Sequence, residues 1–210
     1  MSQPELSELA KLCIELEHWE TPRWAADAIL QSEILTSRVI DACVGGGTLS
    51  VAAKAAGYRV FSLDIHDWGF PGTIVQDFLK FNADLTDETV FMNPPFSKAE
   101  EFVLHAFRLG ARKVVCFQRF AWWESQGRKD FWDANPPARV YICGDRADCW
   151  RYDIKPDEKG RRYNPITGKK MEGTPTAHAW FIWELGQPPG TQLHRLYKPT
   201  ATKEKNHGKT

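Results

Sequence analysis

Three groups of residues in this chain are of types and at spacings that could do chemistry together. The first is Asp41-Ala42-Cys43-Val44-Gly45-Gly46-Gly47-Thr48, where three glycines directly precede a helical stretch. Glycine lets a backbone turn tightly and come close to a ligand, and a helix N-terminus directs free N–H groups at it. The spacing Gly45-x-Gly47-x-x-Ser50 lacks the third glycine of the dinucleotide fingerprint, so the loop taken alone is also compatible with a simple turn. The second is Asp64, at the end of the next apolar run and 23 residues beyond Asp41. A carboxylate there is placed to bind two ribose hydroxyls; its plainer reading is a turn cap with Asp67 and Gly69. Loop and acid together point to a nucleoside-containing cofactor without saying which one. The third is Asn93-Pro94-Pro95-Phe96, which follows a predicted strand at the edge where open α/β sheets bind ligands. Its plainer reading is a strand stop with Phe96 in the core.

In this order the three groups resemble class I S-adenosylmethionine-dependent methyltransferases of the amino-methylating kind, whose motif is (Asp/Asn)-Pro-Pro-(Tyr/Phe/Trp). The resemblance covers roughly residues 17–143 and the strand near 178–185, and the tetrapeptide is its specific part. It implies that S-adenosyl-L-methionine is held by Asp41, Cys43, Gly45 and Gly47, by Asp64 and Ile65 at the ribose, and by Asp77 and Phe78 at the adenine. His18-Trp19-Glu20-Thr21-Pro22 resembles the segment that closes over the methionine end, with Thr21 and Pro22 in contact. Asn93, Pro94, Pro95 and Phe96 then form the catalytic group, Asn93 also meeting the cofactor.

The residue types suit that chemistry. An aromatic amine is a poor nucleophile because its lone pair is delocalised into the ring. Two acceptors, the Asn93 side-chain oxygen and the Pro94 carbonyl, would favour a pyramidal nitrogen with its lone pair aimed at the methyl. The prolines hold the turn rigid, so the acceptors are placed in advance. Phe96 offers a face on which the acceptor ring can stack. Transfer is then direct and in line, without a metal. The same tetrapeptide resembles that of enzymes acting on RNA guanine and on glutamine in release factors; phenylalanine at its end leans towards adenine in DNA.

These groups require strands that end, and helices that begin, beside one another. Residues 5–17 carry leucines at helical spacing, and Thr21-Pro22 opens a second helix from Arg23 to Gln31, with Thr21 as N-cap and Pro22 in the first turn. Strands are predicted at SRVIDAC, YRVFSLDI, GTIVQDF, ETVFM, RKVVCFQ, RVYIC and HAWFIWEL. Helices are predicted at Thr48–Ala56, Ser97–Leu109 and Trp122–Asn135, the first two closed by Gly57 and Gly110. Strands alternating with helices give the α/β class and a Rossmann-like sheet. The resemblance makes it seven-stranded and mostly parallel, with the final strand antiparallel and helices on both faces. Residues 1–198 read as a single methyltransferase domain, 144–177 as an inserted basic loop, and 199–210 as a polar tail.

The chain has 210 residues, 42% hydrophobic and 26% charged, enough for one sizeable core. No run approaches a membrane span, and MSQPELSELAKLC lacks the pattern of a signal peptide. Five dispersed cysteines without a CxxC pair suggest reduced thiols in the cytoplasm of a bacterial or phage-infected cell, with no zinc site. Net charge is zero, but residues 1–107 hold 7 Lys/Arg against 16 Asp/Glu and residues 108–210 hold 20 against 11. A basic second half suits duplex DNA from which adenine is flipped. Its candidate contacts are Arg119, Arg128, Lys129, Arg146, Arg151, Arg161, Arg162, Lys169 and Lys170, interleaved with Phe120, Trp122, Trp123, Trp150, Tyr152 and Tyr163. Trp122, Trp123, His178 and Trp180 read as packing residues. No separate target-recognition domain is evident, which likens the chain to short phage and prophage enzymes. The other readings are an RNA or protein amine methyltransferase, a non-catalytic nucleic-acid-binding module, and, more distantly, a nicotinamide enzyme.

Overall fold

The computed structural model describes residues 6–173 and 176–199. Helix α1 (Glu8–Glu15) and the short strand β1 (Trp19–Glu20) lead into α2 (Arg23–Ser32), β2 (Arg38–Asp41), α3 (Thr48–Ala55), β3 (Arg59–Asp64) and β4 (Thr73–Val75). There follow β5 (Thr89–Met92), α4 (Ala99–Arg108), β6 (Lys113–Arg119), α5 (Lys129–Ala134), β7 (Arg139–Cys143), β8 (Trp150–Arg151), β9 (His178–Glu184) and β10 (Gln192–Leu196). The main sheet has the order β10-β7-β9-β6-β5-β2-β3-β4. All its neighbours pair in parallel except β9, which runs antiparallel to both β6 and β7. The expected mostly parallel sheet with a reversed strand is therefore present.

Its strand number is eight, not seven. The additional β10 pairs in parallel with β7 at the edge of the sheet. Its residues, QLHRL, are exposed except for Leu196, so it lacks the apolar run that marks the buried strands. Two other elements differ from expectation. Pro22 is the N-cap of α2 and makes no side-chain capping bond, while the Thr21 hydroxyl is buried without a partner among the described residues. The stretch expected as one helix over 122–135 is broken into 3-10 turns at Phe120–Glu124 and Gln126–Arg128, and only Lys129–Ala134 is α-helical. Ser125 and Gly127, at the junction of these turns, are poor helix formers.

Both faces of the sheet are covered, which is why its central strands are apolar over most of their length. Val90, Met92, Val114, Cys116, Phe181 and Trp183 pack on one side with Phe102, Trp122, Phe131 and Trp132. Phe91, Val115, Phe117, Trp180 and Ile182 pack on the other with Ala25, Ile29 and Leu49. Trp122 and Trp180 are thus core residues, as expected, and Trp123 is partly buried against the first cluster.

At the start of β6 and β7, Lys113 and Arg139 bridge Glu33 and Glu184, and Tyr141 donates to Glu33. Burial would raise the Glu33 carboxyl, but the bonds from Arg139, Lys113 and Tyr141 hold it below its ordinary value. This buried ionic lattice closes the sheet edge opposite the glycine loop. All five cysteines are free. No helix among the described residues is long and apolar enough to cross a membrane.

Candidate active site

The glycine loop takes its shape from two left-handed backbone positions, Gly45 at φ +50° and Gly47 at φ +90°. Side-chain-bearing residues pay roughly 1–2 kcal/mol in that region. Space also forbids them: a Cβ at Gly45 would lie 2.5 Å from His18 Nε2, and one at Gly47 would lie 2.1 Å from the Phe70 ring. Gly47 is the N-cap of α3, so the loop passes directly into the helix start.

Asp41 lies beneath this loop. It is fully buried, and its Oδ2 accepts the Ser50 hydroxyl at 2.7 Å, with Ser62 beyond at 2.7 Å from Ser50. Burial pushes its carboxyl up to about 7, and Oδ1 has no partner among the described residues. Asp41 does not line the cleft; it supports the loop from below.

Asp64 caps the turn that follows β3. Its Oδ2 accepts the Gly45 N–H at 2.9 Å, while Oδ1 accepts the His66 N–H at 3.1 Å and the Trp68 indole N–H at 3.0 Å. Asp67 meanwhile caps the turn at Gly69 at 2.8 Å. Burial raises the Asp64 carboxyl despite these donors. Oδ2 takes one hydrogen bond and retains a lone pair for a further hydroxyl.

The turn after β5 is tied down from two sides. Asn93 Nδ2 donates to the Trp19 carbonyl at 2.7 Å, which leaves Oδ1 without a donor among the described residues. Gln118, 1% exposed at the end of β6, donates through Nε2 to the Pro94 carbonyl at 3.2 Å. A carbonyl oxygen has two lone pairs, so Pro94 can still accept a second hydrogen.

The N-terminal segment and the loop after β7 cover the glycines. β1 pairs antiparallel with β8, setting Trp19 opposite Arg151 and Glu20 opposite Trp150. The Tyr152 ring stacks on His18 at 4.5 Å, and Trp68 meets the other side of the cluster at 4.2 Å from His18. Burial, with Lys155 and His66 nearby, holds His18 neutral with its pKa lowered to about 4. Its Nδ1 is buried and, among the described residues, unpartnered, as is the Thr21 hydroxyl.

A single cleft gathers most of the sequence-predicted cofactor residues. Thr21, Cys43, Gly45, Asp64, Ile65, Asp77, Phe78 and Asn93 all line it, with Pro95. Pro22 and Gly47 do not: Pro22 lines a neighbouring polar groove, and Gly47 packs beneath Phe70. Phe78 reaches the cleft only from the core, being 1% exposed and stacked on Phe102 at 5.5 Å. Asp77 caps the following turn by accepting the Leu79 N–H at 3.0 Å. Pro94 and Phe96 lie outside the cleft. Five carboxylates (Glu15, Glu17, Glu20, Asp64, Asp77) and one lysine, Lys98, line it, so its charge is negative. Burial raises the Glu20 carboxyl, although Lys155 and Arg162 nearby pull it down.

Sequence reasoning named His18 only within the segment over the methionine end and Tyr152 only among the aromatics of the basic half, and it missed Trp68 and Gln118. The first three meet only because β1 and β8 pair, and two-residue strands leave no periodic signal. Gln118 is a polar residue at the end of an apolar strand, which is the one trace it leaves in the sequence.

Of the expected nucleic-acid contacts, several are committed elsewhere. Arg151 is paired with Asp153 at 2.5 Å, their side chains 13% and 6% exposed, so Arg151 is a half-buried structural cation. Arg161 pairs with Asp157, Lys129 with Asp133 and Lys170 with Glu172. Arg162 packs over Trp150 at 5.0 Å and donates to the Ile154 carbonyl. Arg119, Arg128, Arg146 and Lys169 have no carboxylate partner among the described residues.

No protein-family model matches the sequence, and no curated protein matches it. Solved structures share its fold. A proposed RNA methyltransferase from Pyrococcus horikoshii superposes with a TM-score of 0.53 at 16% identity, over 88% of this chain and 91% of that one. A type I restriction-modification methyltransferase subunit from Streptococcus thermophilus gives 0.50 at 13% identity, over 80% of this chain but 45% of that one. This chain therefore spans under half of the second protein. The fold is that of the Rossmann-like methyltransferases.

Proposed function

We propose that this chain is an S-adenosylmethionine-dependent methyltransferase that acts on the exocyclic amine of adenine in DNA. The observation that carries the reading is the convergence, in one acidic cleft, of the glycine loop, Asp64, Asp77 and two residues of the turn after β5, Asn93 and Pro95. S-adenosylmethionine, when bound, supplies an electrophilic methyl group on a positively charged sulfur.

The residues present suit that ligand. Asp64 Oδ2 keeps a lone pair for a ribose hydroxyl, and Ile65 stands exposed beside it as an apolar face for a base. The unpartnered Thr21 hydroxyl and the cluster of carboxylates suit the polar methionine end and its positive charge. A dinucleotide diphosphate would meet five carboxylates there, which disfavours the nicotinamide reading. Asn93 Oδ1 and the Pro94 carbonyl accept the two amine hydrogens, and the proton released on transfer passes towards solvent through that side of the site. Asn93 keeps its orientation because Trp19 holds its amide nitrogen.

The acceptor assignment rests on the sequence resemblance at Phe96 and on the unpaired cations Arg128, Arg146 and Lys169 in the basic half. The exposed end of the 144–173 loop, closed by a bridge between Tyr163 and Lys170, is the segment proposed to meet the target DNA. A panel of unmethylated duplex DNA, structured RNA and a glutamine-bearing protein, each offered with tritiated S-adenosylmethionine, tests the reading. Label on DNA alone supports it. Label on RNA or protein alone moves the acceptor, and DNA binding without cofactor binding favours the non-catalytic binding module.

A further inference from the structure

Arg119 closes β6 with its guanidinium carbon 4.2 Å from the centre of the Phe96 ring. Its side chain is exposed and has no carboxylate partner among the described residues. The strand register sets it opposite His178 on β9, whose ring lies 6.3 Å from Phe96 and stacks on Phe117 at 5.2 Å. His178 is 2% exposed, and burial followed by the nearby Arg119 lowers its pKa to about 4, so it adds no charge here. The next residue towards the core, Gln118, holds the Pro94 carbonyl. Arg119 therefore stands at the acceptor side of the turn, outside the cofactor cleft and over the ring proposed to stack the acceptor.

A planar cation on this ring has two consequences. It occupies stacking surface that an acceptor ring needs. It also opposes the positive charge that develops on an amine nitrogen as it takes a methyl group, so the guanidinium must leave the ring before transfer. Arginine is the side chain best suited to pair with a phosphate once it has left, since its forked donors match phosphate oxygens.

We infer that Arg119 selects the acceptor: it rests on Phe96 in the free protein and pairs with the phosphate of the nucleotide whose base replaces it. The site then favours a ring carried on a phosphodiester over an uncharged side-chain amide. This rests on the methyltransferase reading above and narrows its acceptor to a nucleic acid.

The test compares the intact wild-type protein with Arg119→Met and Arg119→Lys. The probes are an adenine-rich DNA oligonucleotide and deoxyadenosine, which carries no phosphate. For the oligonucleotide, Arg119→Met raises KM by about tenfold and changes kcat by less, and the slope of log affinity against log salt, read by fluorescence anisotropy, falls by about one. Arg119→Lys restores most of the salt slope but not the full affinity. With deoxyadenosine, the KM of Arg119→Met does not rise. Equal losses on both acceptors would reduce Arg119 to a structural clamp and overturn the proposal, as would an unchanged oligonucleotide KM and slope. Binding needs no turnover, so the two readings can fail separately. A wild-type protein that methylates neither probe, with the salt-slope change intact, overturns the DNA adenine reading; an unchanged slope in an active enzyme overturns the role of Arg119.

Discussion

The side-chain amide of Asn93 donates to the main-chain carbonyl of Trp19 at 2.7 Å, joining residues 74 positions apart. Trp19 belongs to β1, which pairs with β8, so the acceptor turn, the N-terminal segment and the loop after β7 are mechanically one unit. The bond fixes which end of the Asn93 amide is free. Asn93→Ala accordingly loses about 10²-fold or more in kcat, the scale of removing one preorganised group that acts on the transition state. Cofactor affinity changes little, because that acceptor matters chiefly in the transition state. Single-turnover transfer and calorimetry check the two halves; a mutant with wild-type rates would remove Asn93 from the mechanism.

Asp64 carries a different load. It holds the Gly45 N–H and the Trp68 indole and is proposed to hold the ribose. Asp64→Ala weakens cofactor binding by about 10- to 100-fold, the scale of losing hydrogen bonds to a charged group at roughly 1.5–3 kcal/mol. Calorimetry showing an unchanged Kd would take Asp64 out of the ribose role.

Most of the sheet and the cofactor cleft could be read from the sequence because their signals are local. Buried parallel strands are continuous apolar runs, and the glycine loop, Asp64 and Asn93-Pro94-Pro95-Phe96 each sit at the end of one. What could not be read depends on pairings between distant residues. β10 is polar and exposed, so it differs little in composition from a loop. The stack of His18 on Tyr152 joins positions 134 apart through two-residue strands. The basic residues of the 144–173 loop were legible as charges but not as partners: Arg151 is consumed by Asp153 two residues on, and only the fold shows that pair to be half-buried. The expected polar tail at 199–210 lies, apart from Pro199, outside the described residues.

Asp41 should leave a signature in the pH dependence of stability. Its pKa rises from 3.8 to about 7 because burial penalises the charged form. The native state therefore holds this proton where the unfolded state has lost it. Its contribution is present below the unfolded value and declines as pH rises from about 4 to about 7. Asp41→Asn, which cannot ionise, lacks that decline. Thermal melts at pH 5 and pH 8 should show the mutant gaining on the wild type by at least about 3 °C at the higher pH. Parallel melting curves at both values would place the ionisation elsewhere.

The aromatic cover over the glycines makes a kinetic prediction. Tyr152→Ala removes the ring that stacks on His18 and leaves the cleft roof weaker. Cofactor dissociation should accelerate by about tenfold, with association changed less, since interface changes act mainly on departure. Stopped-flow tryptophan fluorescence measures both rates, and an unchanged dissociation rate would show that the β1–β8 cover does not retain the ligand.

The central claim is that the Asn93-Pro94-Pro95-Phe96 turn presents an adenine amine to a methyl group held over the glycine loop. Its most direct test is transfer of labelled methyl from S-adenosylmethionine to unmethylated duplex DNA, followed by digestion to nucleosides and mass spectrometry. The account predicts label in deoxyadenosine methylated on its exocyclic nitrogen, and none after Asn93→Ala. Label on cytosine or a ring carbon, or no label on DNA from a protein that binds the cofactor, would contradict it.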